Sequence, residues 1–275
     1  NASALGIIAG KGQLPRLLMD GCITKGRPFA LIGIEGFVES ETMEKAGENG
    51  TLLPIGQLGA ALGFLHSLDA NEVVMAGHIA RPKFSQVKPD AKGAKLLAKL
   101  TTRLFAGDDA LLRTITEFLQ AEGFALVGAE SVLDSLLMPK GVLTDAKPSA
   151  ADEADIARGV EVAKAIGALD VGQGAIVQNT HVLGLEALEG TDALIERAAT
   201  LRTSEGAKGV LVKVKKPGQE SRVDLPTMGL HTVELLAKHG FAGVAMEAES
   251  ALILERDRVI ARANALGVFV VGVKA

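Results

Sequence analysis

Leu5-Gly6-Ile7-Ile8-Ala9-Gly10-Lys11-Gly12-Gln13-Leu14-Pro15 reads as a short apolar strand that runs into a glycine-bearing turn and then a helix. The apolar run is continuous, as a strand covered on both faces requires. Further strands of the same kind are expected at Phe29–Ile34, Glu72–Ala76, Phe124–Gly128, Ala175–Gln178, Val210–Val214, Gly243–Glu247 and Phe269–Val273. Segments of helical spacing lie between them: Gln13–Thr24, Gln57–Leu68, Ala91–Phe105, Asp108–Ala121, Asp152–Ile166, Asp192–Arg202, Leu230–His239 and Arg256–Leu266. Strand–helix–strand alternation predicts an α/β protein with parallel sheets. Residues 131–150 interrupt the pattern with Pro139, Gly141 and Pro148, and Asp152-Glu153 begins a fresh helix. The expected division is therefore 1–135, a Rossmann-like N-terminal domain, and 136–275, a second α/β domain that carries the catalysis.

Composition narrows the function classes. The 275 residues are 48% apolar and 23% charged, ample for packed cores. A net charge of −4, divided as −2 per half, argues against nucleic acid as the main partner. With nine Phe but no Tyr or Trp, a base would have to be held by polar groups, backbone or Phe. The lone Cys22 excludes an intrachain disulfide and multi-cysteine zinc cages, which suits a reducing compartment. No apolar run reaches the roughly 18 residues of a membrane span, so a soluble, cytoplasmic protein is expected. One stretch is locally basic: Arg81–Arg103 holds seven cations against Asp90 alone. Lys92, Lys95, Lys99 and Arg103 fall on one helical face, either a solvated face or a surface that meets anionic lipid.

Several loops can carry chemistry. Gly10, Lys11, Gly12 and Gln13 form a turn whose backbone can approach a phosphate at a helix N-terminus, although a plain structural turn explains it as well. The third glycine of a dinucleotide fingerprint is replaced by Pro15, and the Ser or Thr of a P-loop by Gly12. Gly77 and His78 follow the Glu72–Ala76 strand, at the strand end where open α/β sheets bind ligands. Asp108-Asp109 suits a helix cap, with a paired-carboxylate metal site as the minor reading. Asn179, Thr180 and His181 stand just beyond a strand and precede Glu186 and Glu189, with Thr191 placed to cap the next helix. Lys213 and Lys215 alternate onto one face and suit a diphosphate, unless they line a solvated edge strand. Asp224, held in a loop by Pro226 and Gly229, can bind Mg²⁺, orient a water, or simply lead into the helix.

Taken together, GIIAGKGQLP (6–15), AGHIARPKF (76–84), GDDALLRTI (107–115), VGQGAIVQNTHVLGLEALEGTDALI (171–195), VKVKKPGQESRVDLPTMG (212–229) and AMEAESALILER (245–256) resemble the LpxI-type UDP-2,3-diacylglucosamine pyrophosphatases of lipid A biosynthesis. The resemblance implies two α/β domains with the ligand cleft between them, and Mg²⁺-dependent hydrolysis of the substrate diphosphate to UMP and 2,3-diacylglucosamine 1-phosphate. It implies attack on the uridine-distal phosphorus, and it makes Asp224 the catalytic and metal-binding residue. Substrate-binding roles fall to Gly10, Lys11, Gly12, Gln13, Gly77, His78, Asn179, Thr180, His181, Glu189, Lys213 and Lys215. The implied partners are an acylated sugar nucleotide and, transiently, the cytoplasmic membrane surface, with a homodimer left open and no nucleic acid. A nicotinamide-dependent oxidoreductase, which Pro15 disfavours, and a non-enzymatic lipid or sugar-nucleotide carrier are the alternatives.

Overall fold

A computed structural model describes residues 3–80, 87–101, 107–218, 222 and 225–275, without the side chains of residues 101 and 107–110. The chain divides into two compact units at 134/135. In the first, strands β1 (Ala4–Ala9), β2 (Phe29–Ile34), β3 (Gly50–Leu53), β4 (Ala70–Ala76) and β5 (Ala125–Leu126) form one sheet in the order β3-β2-β1-β4-β5. Every neighbouring pair is parallel. β1 has a partner on both sides, and Leu5, Ile7 and Ala9 are fully buried, which is why its apolar run does not alternate. Helices α1 (Leu14–Thr24), α2 (Ser40–Ala46), α3 (Leu58–Ser67), α4 (Ala91–Thr101), α5 (Gly107–Ala121) and α6 (Ala129–Val132) make the crossovers and cover the sheet. One core gathers Ile32, Leu62, Leu65, Val73, Leu119 and Phe124.

The second unit departs from the all-parallel expectation. Strands β6 (Gly141–Val142), β7 (Gly174–Gln178), β8 (His181–Leu185), β9 (Val210–Lys213), β11 (Gly243–Glu247) and β13 (Phe269–Val273) form a sheet in the order β6-β13-β11-β9-β7-β8. β9, β11 and β13 are parallel, but β7 runs antiparallel to both of its neighbours and β6 antiparallel to β13. β10 (Thr227–Met228) pairs with β12 (Leu252–Ile253) as a separate two-stranded ribbon. Helix α7 (Ala150–Ala168) packs on one face through Ile156 and Ala163, against Ala175, Val212 and Phe269. Helices α8 (Gly190–Ala199), α9 (Leu230–Lys238) and α10 (Arg256–Leu266) cover the other through Leu194, Ile195, Val233 and Val259, against Ile176, Leu211 and Met246. Lys213 lies two positions beyond Leu211, so it emerges on this second face.

The antiparallel step comes from a two-residue turn. Asn179 and Thr180 have φ of 51° and 63°, the mirror-image conformation that joins tightly twisted hairpin strands. The fully buried Asp155 on α7 accepts hydrogen bonds from both turn amides, Asn179 N at 3.1 Å and Thr180 N at 2.5 Å. Its carboxylate thereby supports two backbone conformations that Asn and Thr adopt at a cost. Asp155→Ala is expected to lower stability by about 2–3 kcal/mol, the scale for losing charge-assisted hydrogen bonds in a buried site. Urea unfolding of the variant against wild type measures it.

Candidate functional site

In the first unit the sequence-predicted residues converge at the sheet's carboxyl edge. β1 is followed in the chain by β2 on one side and is flanked by β4 on the other, so the strand order reverses between β1 and β4. That switch point is where open α/β sheets bind ligands, because the two crossovers leave in opposite directions and open a crevice. Gly10 to Gln13 follow β1, and Gly77 and His78 follow β4. The two loops are pinned together: Lys11 N donates to His78 O and His78 N to Lys11 O, both at 2.9 Å, and Gly10 N donates to Ala76 O at 2.8 Å.

This pairing divides the glycines by purpose. A Cβ on Gly10 would lie 2.6 Å from His78 O, and one on Gly77, at φ +87°, 2.7 Å from Lys11 O. Those two exist for backbone against backbone. Gly12, at φ +108°, has nothing within 4 Å of such a Cβ, so its surface stays open to a ligand. α1 starts two residues later with no side-chain cap at Gln13 and no acidic residue in its first turn, leaving its partial positive charge and the first-turn amides other than at Pro15, which has no N–H, available to an anion. Lys11, Gln13 and His78 are exposed around this opening.

In the second unit the cation expected on a strand face takes an unexpected position. β9 lies between β11 and β7, and Lys213 at its carboxyl end is only 4% exposed, so the solvated-edge reading fails. Its Nζ donates to Thr191 Oγ1 at 2.7 Å, stands 3.5 Å from Thr227 O and lies 3.6 Å from Glu186 Oε1. Thr191 Oγ1 in turn donates to Glu186 Oε1. Thr191 is thus no helix cap: α8 begins at Gly190 with Glu189 at the N-cap position. The register explains the room for the carboxylate. Gly174 of β7 sits opposite Lys213, and a Cβ there would lie 2.8 Å from Glu186 Oε2. Lys215 falls beyond β9, half-buried, where its backbone N donates to Glu247 Oε2 at 2.8 Å.

The other predicted residues of this unit are not all here. Asn179, Thr180 and His181 lie just beyond the far end of β7, whose last residue, Gln178, is four residues from Gly174, or about 13 Å along a strand. Their polar groups serve the turn: the Asn179 amide donates to Glu205 O and accepts from Ala207 N, and His181 Nδ1 stands 2.8 Å from Asn179 O. They do not join Lys213 and Lys215 in one site. Glu189 is held by Arg197 at 2.7 Å; its own helix-start amide and that guanidinium keep its carboxyl below the usual range. Asp224, and Asp108 and Asp109 as side chains, lie outside the described residues, as do Arg81, Lys83 and Arg103 of the basic stretch. On α4, Lys92 pairs with Glu122 while Lys95 stays exposed; the buried face carries Gly93 and Leu96, with Leu97 and Leu100 only partly covered.

Sequence reasoning passed over Glu186 and Glu247. Their signal was faint: GLEALEGTD offers two glutamates, and only the pairing of Gly174 with Lys213 tells which one is enclosed. Among the described residues no three His, Cys, Asp or Glu side chains converge as a metal cage.

Gly77→Ala is expected to break the pinning of the two first-unit loops, since it combines positive φ with a Cβ against Lys11 O. A loss of about 1–3 kcal/mol is expected, and faster amide exchange at Lys11 and His78 checks that the damage is local.

Comparison with known proteins covers both units. The family model described as the LpxI N-terminal domain matches residues 4–136, and that described as the LpxI C-terminal domain matches residues 139–271. The chain is also 41% identical over 274 residues to the UDP-2,3-diacylglucosamine pyrophosphatase LpxI of Caulobacter vibrioides, spanning 98% of this chain and 97% of that protein.

Proposed function

This chain belongs to the LpxI family, and on that premise we propose that it hydrolyses the diphosphate of UDP-2,3-diacylglucosamine, releasing UMP and 2,3-diacylglucosamine 1-phosphate. The observation that carries the reading is the match of both family domains, in order, to almost the whole chain. The geometry agrees with it. A diphosphate repels an incoming water through its own negative charge, so catalysis needs cations and backbone dipoles fixed in advance more than it needs covalent chemistry. Each unit offers such a group at the carboxyl edge of its sheet: the open turn at Gly12 before α1 in the first, and the enclosed Lys213 ammonium in the second.

Asp224 is the catalytic and metal-binding residue of this proposal; it precedes Thr227, whose carbonyl stands beside Lys213 Nζ, by three residues in the chain. Mg²⁺ is held through one or two carboxylates together with substrate phosphates and waters, so Asp224 with the diphosphate is a sufficient donor set without a preformed cage. When bound, the ion neutralises charge on the phosphate oxygens. Lys213, with Lys215 two residues on in the chain, adds a fixed positive charge on the protein side, and Lys11, Gln13 and His78 are donors suited to phosphate or sugar oxygens. Asn179, Thr180 and His181 keep binding roles only toward parts of the substrate remote from Lys213, whereas Glu189 stands two residues before Thr191 at the start of α8.

UMP release from UDP-2,3-diacylglucosamine tests the reading. Activity is expected to need Mg²⁺ and to vanish with EDTA, and Asp224→Ala is expected to lower kcat by about two orders of magnitude or more. Undiminished turnover by that variant would remove Asp224 from the mechanism; no UMP from wild type would remove the function. Among the described residues no helix is long and apolar enough to cross a membrane. We further propose that Lys95 and the adjoining basic stretch bring the protein transiently to an anionic surface. Co-sedimentation with phosphatidylglycerol vesicles, weakened by Lys95→Glu and by salt, is the expected result.

A further inference from the structure

The enclosed lysine of the second unit is held in an arrangement that stability alone does not explain. Lys213 and Glu186 are both more than nine-tenths buried, yet their charged atoms stand 3.6 Å apart, beyond a hydrogen bond. Thr191 bridges them. Its hydroxyl accepts from Lys213 Nζ and donates to Glu186 Oε1, and a hydroxyl has only one proton, so these two bonds fix its direction. The other carboxylate oxygen, Glu186 Oε2, is buried with no hydrogen-bond partner. Buried ion pairs seldom stabilise a fold more than apolar side chains would, and an unsatisfied carboxylate oxygen adds a cost. An ammonium carries three protons. Lys213 commits one to Thr191, while its contacts to Thr227 O at 3.5 Å and Glu186 at 3.6 Å are long and weak, so donor capacity remains for an incoming anion.

We infer that Thr191 and Glu186 are positioning residues that orient the Lys213 ammonium toward the substrate diphosphate. The inference rests on the hydrolase reading for its substrate and on the hydrogen bonds for its geometry. Without the Thr191 hydroxyl the ammonium loses its short bond and is drawn toward Glu186, its nearest opposite charge among the described residues. Glu186 acts through Thr191, accepting the proton that sets the hydroxyl's direction, and it compensates the lysine charge before substrate arrives.

The test is a double-variant cycle with UMP release as readout and thermal unfolding as a folding check. Thr191→Val, nearly isosteric, is expected to lower kcat about tenfold or more with KM changed less than about threefold, as for a group that matters most in the transition state. Thr191→Ser is expected to restore most of the loss. Added to Lys213→Met, Thr191→Val is expected to cause no further loss, because it acts only through the lysine. Glu186→Gln, which keeps the size and an acceptor oxygen, is expected to show a smaller fall of the same non-additive kind. Wild-type kcat in Thr191→Val, or losses that multiply in the double variant, would overturn the inference. Calorimetric titration with inorganic pyrophosphate separates it from the function: a wild type that makes no UMP but binds pyrophosphate, with Thr191→Val and Lys213→Met weakening binding equally and non-additively, fails as that hydrolase yet sustains the positioning role. Where wild type makes no UMP, so that kcat cannot decide, equal pyrophosphate affinity in wild type and Thr191→Val overturns the positioning role as well.

Discussion

A sheet covered by helices on both faces has no side on which a polar group can reach water, so its chemistry is confined to the ends of its strands. Both units of this protein obey that constraint. In the first, β1 has strand partners on each side and a fully buried apolar run, and the exposed polar residues Lys11, Gln13 and His78 follow at the carboxyl edge. In the second, α7 takes one face and α8, α9 and α10 the other, and Lys213, Glu247 and Glu186 collect at the corresponding edge. The location of each site follows from the layering before any particular residue is considered.

The two edges present positive charge differently. In the first unit the backbone does the work: paired loops hold a turn whose open glycine precedes an uncapped helix, so partial charges face outward without any buried ion. In the second, a full charge is enclosed, and enclosure is tolerable because a hydroxyl and a carboxylate stand beside it. Gly174 is what permits this, since any side chain opposite Lys213 would occupy the space of the Glu186 carboxylate.

Some of this was readable from residue order. The eight expected strands correspond to β1, β2, β4, β5, β7, β9, β11 and β13, because buried strands need unbroken apolar runs and such runs stand out. β8 was missed because its strand residues His181 and Val182 are exposed and its turn, Asn179-Thr180, lacks the glycine that marks mirror-image turns; the support comes instead from Asp155, more than 20 residues away. Lys213 was recognised as a candidate by alternation with Lys215, yet the strand stops at Lys213 and the two lysines differ in burial. Thr191, read as a cap, proved to be the bridge between lysine and carboxylate.

The amino-acid sequence by itself determined the α/β class, the break near residue 135 and the glycine-bearing turn after the first strand, because these depend on local periodicity and glycine placement. Only the tertiary structure decided which strands run antiparallel, that the Asn179–His181 turn lies at the opposite sheet end from Lys213, and that Glu186 rather than Glu189 encloses the lysine. Those are matters of register between segments distant in the chain, and side-chain period alone leaves register undefined until the strands pair.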